Sequence, residues 1–139
     1  MQVTTAMLAD AATVSLGKLY VHGGGWDAIV ATQIPALHPT LALALAFKMD
    51  WHEGNEALPV VIDLVNEDGE LACGIHIEMT LRVAPSPIMK KGVDLYQYTA
   101  HTFNCLQFEG YGIYRFQVIH DDEVLASVPL SILPPSLLP

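Results

Sequence analysis

Basic residues are scarce in this chain. Six Lys and Arg stand against fifteen Asp and Glu, for a formal charge of −9. A surface of that sign repels nucleic-acid phosphates and anionic lipid, so nucleic acid is excluded as an expected partner. Charged residues of either sign make up only 15% of the chain, against roughly 25% in an average soluble protein, while 52% of residues are hydrophobic. Polar surface is therefore short, and some apolar surface is expected to meet a protein partner or another copy of the chain.

Cysteine is nearly absent. Cys73 and Cys105 have no close spacing, which gives neither a disulfide framework nor a zinc signature. Both are expected buried and reduced, with a single disulfide as the alternative. Long apolar runs are missing too. The longest, Leu41 to Phe47, is far below the about 20 residues needed to cross a bilayer, so no membrane insertion is expected. The opening Met1-Gln2-Val3-Thr4-Thr5 has no basic region, and Asp10 interrupts the apolar stretch behind it. A signal peptide is not expected, and the expected location is the cytoplasm, or the virion if the chain is phage-encoded.

What the chain does contain is β punctuation. Its 139 residues suit one domain. Short apolar segments alternate with Gly, Pro and Asx turns at sandwich-like spacing, and no amphipathic stretch is long enough for a major helix. The run Leu41-Ala42-Leu43-Ala44-Leu45-Ala46-Phe47 keeps a strict period of two but alternates large and small apolar residues, so it reads as a strand with both faces wanting cover. Asn66-Glu67-Asp68-Gly69-Glu70 gives an Asp-Gly hairpin, and His120-Asp121-Asp122-Glu123 the tip of a terminal one. The expected fold is all-β: an antiparallel β-sandwich, immunoglobulin-like or related, of about eight or nine strands without a major helix. Residues 1–133 form the single domain, and residues 134–139 an apolar Pro/Leu arm.

Gly110-Tyr111-Gly112-Ile113-Tyr114-Arg115-Phe116 resembles the entry to the penultimate strand of immunoglobulin-like domains. Tyr114 takes the place of the corner tyrosine and Phe116 that of the usual cysteine, a departure that removes the inter-sheet disulfide. Asp10-Ala11-Ala12, Gly17-Lys18-Leu19 and Gly23-Gly24-Gly25-Trp26 together resemble the opening signature of a bacterial family of small proteins classed only as a domain of unknown function. Leu64 to Gly69 and Gly112 to Phe116 are similar to its middle and late motifs. The resemblance implies a β-sandwich and nothing about activity.

Few motifs carry chemistry. The triple glycine is not a phosphate cradle, because Gly17-Lys18 is followed by Leu19 and no helix opens after Gly25. It reads as a bulge or a close backbone approach, turning Trp26 toward the core. Gly23, Gly24, Gly25, Trp26, Asp68, Gly69, Gly112, Tyr114 and Phe116 are thus expected to be structural. His76 and Glu78 share a strand face, and Asp68 and Asp121 sit on acidic tips that would form a calcium rim only if both lay at one end of the sandwich. These four are weak metal candidates, and no metal or cofactor is expected. No nucleophile elbow is present, and no catalytic residue is assigned.

The reading that follows is a non-enzymatic structural or interaction module, an accessory component of a bacterial or phage assembly. It would associate through Leu41, Leu43, Leu45 and Phe47 or through Leu133, Leu137 and Leu138. A calcium- or glycan-binding module using an acidic end and Trp26 or Trp51 is the alternative, and an unrecognised hydrolase the third.

Overall fold

The structure, a computed structural model, describes residues 1–137. Nine strands are present: β1 (Gln2–Ser15), β2 (Lys18–Trp26), β3 (Ala28–Val30), β4 (Ala36–Met49), β5 (Leu58–Val65), β6 (Leu71–Leu81), β7 (Leu95–Phe108), β8 (Gly112–His120) and β9 (Glu123–Leu133). The described residues contain no α-helix, only 3-10 turns at Trp51–Glu53 and Pro135–Leu137. Sheet A has the order β2-β1-β4-β7 and sheet B the order β3-β9-β8-β5-β6. The fold is the expected two-sheet sandwich. Sheet B is mixed, because the short β3 runs parallel to the end of β9, with Val30 beside Leu133.

The core is apolar throughout: among the described residues, no polar or charged residue is buried. Leu41, Leu43, Leu45 and Phe47 of β4 meet Ile62, Leu64, Phe116 and Leu130 of sheet B in one cluster. This corrects the expectation of an interface at Leu41–Phe47. All four are 0% exposed, and β4 is an inner strand between β1 and β7.

The small residues of β4 are also covered from within the chain. Ala42 and Ala44 lie between Ala9 and Met7 of β1 and Thr102 and Ala100 of β7. Beyond Ala9 the β1–β2 hairpin no longer pairs with β4, and its Ala12–Val14 segment faces Gln97–Thr102 across a cleft. Alanine is short enough for these neighbours to close over it. Alternation of Leu with Ala therefore marks a doubly covered central strand here, with no need of a second subunit.

The glycines act as the spacing suggests. Leu8 pairs with Trp26 and Ala9 with Gly24, so Gly25, at φ +90, is the extra residue of a bulge. Gly24 is a close approach: a Cβ there would lie 2.6 Å from Val21 Cγ1 and 2.9 Å from Met7 Sδ. Trp26 packs against the core from its rim. The tyrosine corner is present as well. Tyr114 Oη donates to the Gly110 carbonyl at 2.8 Å, Phe116 is fully buried, and the Tyr114 ring meets Phe108 edge-on at 5.0 Å.

Candidate functional site

Strands leave backbone donors and acceptors unpaired at the edge of a sheet, and proteins usually blunt such edges with short length, charge, proline or bulges. Three of the four edges here are blunted. β3 has three residues, β2 carries Lys18 and the glycine bulge, and β6 carries Glu78 and a large bulge. The fourth, β7, is 14 residues long and, among the described residues, pairs only with β4. From Leu95 to Phe108 it contains no Asp, Glu, Lys, Arg or Pro, and the nearest acids, Asp94 and Glu109, stand just outside its ends.

Several side chains along this edge are exposed or half-exposed: Tyr96, Tyr98, Thr102 and Asn104 among them. His101, set opposite Leu43, is half-buried with Nε2 3.0 Å from Thr99 Oγ1, and burial holds its pKa below the ordinary histidine value. Beside the strand stands the β1–β2 hairpin, whose Val14 lines the cleft of about 580 Å³ shared with Gln97–Thr102. Its two-residue tip is Leu16-Gly17, with Leu16 at φ 50 and 97% exposed. A tight hairpin of this kind favours Asn or Asp at such a position, so a bulky apolar residue is held there against its backbone preference.

The open side of the sandwich brings β6 and β7, the edges of different sheets, together around a cleft of about 400 Å³. Cys73 and Cys105 both line it. Neither is fully buried, contrary to expectation: Cys105 is exposed and Cys73 half-buried, both as free thiols. The Cys73 thiol donates to the Gln107 carbonyl at 3.1 Å. Burial, with Glu109 adding to it against that hydrogen bond, pushes the Cys73 pKa up to about 11.

The metal candidates separate. His76 lies between two carboxylates, with Nδ1 2.5 Å from Asp63 Oδ1 and Nε2 3.2 Å from Glu78 Oε1. The Asp63 and Glu78 hydrogen bonds raise its pKa, and the imidazolium they favour has no lone pair to offer a metal. Among the described residues no three His, Cys, Asp or Glu side chains converge as a metal site.

Asp68 and Asp121 lie at opposite ends of sheet B. The Asp68 turn adjoins the start of β8, where Glu67 Oε1 accepts from Ile113 N at 2.8 Å. Asp121 follows His120, whose Nδ1 is 2.7 Å from the Pro59 carbonyl at the start of β5. They form no common rim. The first turn is organised by Asn66, whose Oδ1 accepts from the N–H groups of Asp68 and Glu70 at 2.9 and 3.0 Å, with Gly69 at φ +80.

Of the C-terminal leucines expected at an interface, Leu133 ends β9 half-buried, and Leu137 closes the Pro135–Leu137 turn. Leu138 lies outside the described residues. Sequence reasoning missed β7 as the exposed element. The signal that marks it is the unbroken absence of charge, which goes unnoticed beside the more apolar Leu41–Phe47. No helix among the described residues is long and apolar enough to cross a membrane.

The chain belongs to the family of unknown function DUF6941, whose family model matches residues 4–133, from the third residue of β1 to the last residue of β9. This agrees with the resemblance to a domain of unknown function drawn from the glycine and tyrosine motifs. No curated protein matches the chain.

Proposed function

We propose that this protein is a non-enzymatic interaction module that takes another strand onto the free edge of β7, the first such strand being β7 of a second copy. The observation that carries the reading is the 14-residue edge without charge or proline in a sheet whose other edge is blunted. Main-chain hydrogen bonds would supply affinity, and the exposed side chains register. Val14 of the neighbouring hairpin adds apolar surface beside the same strand, and the exposed tip Leu16 would extend it in the assembled pair.

Sedimentation velocity over a concentration series tests this. The wild-type chain is expected to self-associate, and the double variant Thr102→Lys/Asn104→Lys to remain monomeric with an unchanged melting temperature, since both positions are exposed. A wild-type chain that stays monomeric throughout overturns self-pairing.

One observation favours a second reading, a glycan-binding module at Trp26. Its Nε1 is buried without a hydrogen-bond partner, and the ring lines a cleft of about 400 Å³ with Asp10 and His38. A thermal-shift screen against a panel of sugars would show a raised melting temperature lost in Trp26→Phe; no shift with any sugar removes this reading.

A further inference from the structure

The two cysteines are far apart in sequence and are brought to one cleft by two separate local irregularities. On β6, Asp63 pairs with His76 and Val65 with Leu71, so two steps along β5 (63 to 65) are matched by five along β6 (76 to 71). The surplus forms a bulge that includes Cys73 and Gly74, at φ 54 and φ 66. On β7, the ladder with β4 passes from Thr40–Asn104 to His38–Leu106, leaving Pro39, which has no N–H to donate, opposite Cys105. Cys105 there adopts φ 56. A left-handed backbone is uncommon for a residue with a Cβ, and among the described residues six non-glycines adopt it. Two of the six are the only cysteines of the chain, and both line the same cleft.

The strands are already in contact at this point, since the Cys73 thiol reaches the Gln107 carbonyl, two residues beyond Cys105. We propose that Cys73 and Cys105 are a dithiol site that reacts with a low-molecular-weight disulfide and closes as an inter-sheet disulfide between β6 and β7. In the first step the Cys105 thiolate attacks one sulfur of the small disulfide. The S–S bond breaks, Cys105 carries a mixed disulfide, and one small thiolate leaves and is protonated by solvent. Cys73 then loses its proton to solvent and attacks Cys105 Sγ, expelling the second small thiol. Two cysteine thiols are oxidised by two electrons in all, and the small disulfide is reduced to two thiols.

The environments set the order of the steps. Cys105 is exposed and meets the reagent first, whereas Cys73 is half-buried with its thiol held protonated, which suits the second, intramolecular attack rather than the first. The inference does not depend on what β7 binds.

Incubation of the full chain with oxidised glutathione at mildly alkaline pH, followed by intact-mass and peptide mapping, tests it. The expected product has lost the mass of two hydrogens, takes up no N-ethylmaleimide and yields a Cys73-linked-to-Cys105 peptide, with an upward shift in melting temperature. Cys73→Ser is expected to stop with one glutathione on Cys105, and Cys105→Ser to leave Cys73 unmodified over the same time. A wild-type chain that stops at the glutathione adduct, keeps two free thiols, or gives only Cys105–Cys105 links between copies overturns the proposal.

Discussion

β4 and β7 are the same length, 14 residues each, and lie side by side in register from Ala36–Phe108 to Met49–Leu95. One is the most deeply covered strand of the protein and the other an open edge. β4 is apolar at every position from Leu41 to Phe47, and covered on both faces by its own chain. β7 is uncharged but largely polar, with Gln97, Tyr98, Thr99, His101, Thr102 and Asn104 along it, and among the described residues its backbone pairs with a strand on one side only. Hydrophobicity thus locates the core of this domain, and the open edge is marked by missing charge. An edge binds through its peptide groups, which no side-chain hydropathy measures.

The sharpest break between the two strands is a truncation on each. Phe47→Ala in β4 should lose about 3–5 kcal/mol of stability, as buried aromatic truncations do. Tyr96→Ala, one register position away on β7, should stay within about 0.5 kcal/mol because its side chain is half in solvent. Urea unfolding of both variants measures the difference, and equal losses would mean that Tyr96 is held in the core with Leu95, Leu106 and Phe108 of the same strand.

Next in size is a control away from both strands. Gly24→Val forces a side chain onto Val21 and Met7 and should lose about 1–3 kcal/mol while leaving self-association intact, read by unfolding and sedimentation on the same samples. A loss of association in a folded Gly24→Val protein would move the contact from β7 to β2. Smaller in stability is Leu16→Asn at the hairpin tip. It relieves a left-handed leucine and should stabilise the chain by a few tenths of a kcal/mol, up to about 1. It should also weaken the association to which Leu16 contributes apolar surface.

The smallest effects are those of pH. His101, the polar side chain that β7 turns toward Leu43, has its pKa lowered by burial, so protonation opposes folding. Its contribution is complete above the ordinary value of about 6.5 and is lost as pH falls through the depressed one. His76 on β6 behaves oppositely. Its pKa is raised by Asp63 and Glu78, so its contribution is present below about 6.5 and fades as pH rises through the raised value. Melting temperatures of His101→Gln and His76→Gln between pH 5 and 8 should lose the acid-side and the alkaline-side slope respectively.

Much of this architecture was legible from residue patterns, because each rests on a local rule. The bulge at Gly25, the Asn66–Glu70 turn and the Tyr114 corner are all backbone requirements that particular residue types satisfy. Strand order was not legible. Whether Leu41–Phe47 is an inner strand or a surface one depends on β1 and β7 flanking it, and nothing within those seven residues encodes its neighbours. The same applies to Asp68 and Asp121, whose separation follows from β5 and β8 running antiparallel, and to the cysteines, which two unrelated backbone irregularities bring to one cleft.

The absence of any buried polar or charged residue among those described has a consequence for ionic strength. All of the net −9 is carried where solvent and counterions reach it, and the meeting of two copies doubles the charge held in one body. At low salt these copies repel one another. At about 0.1 M, where the screening length is about 10 Å, the uncharged β7 edges can approach with most of that repulsion removed. Added salt should therefore tighten self-association, the opposite of what salt does to a protein that holds nucleic acid.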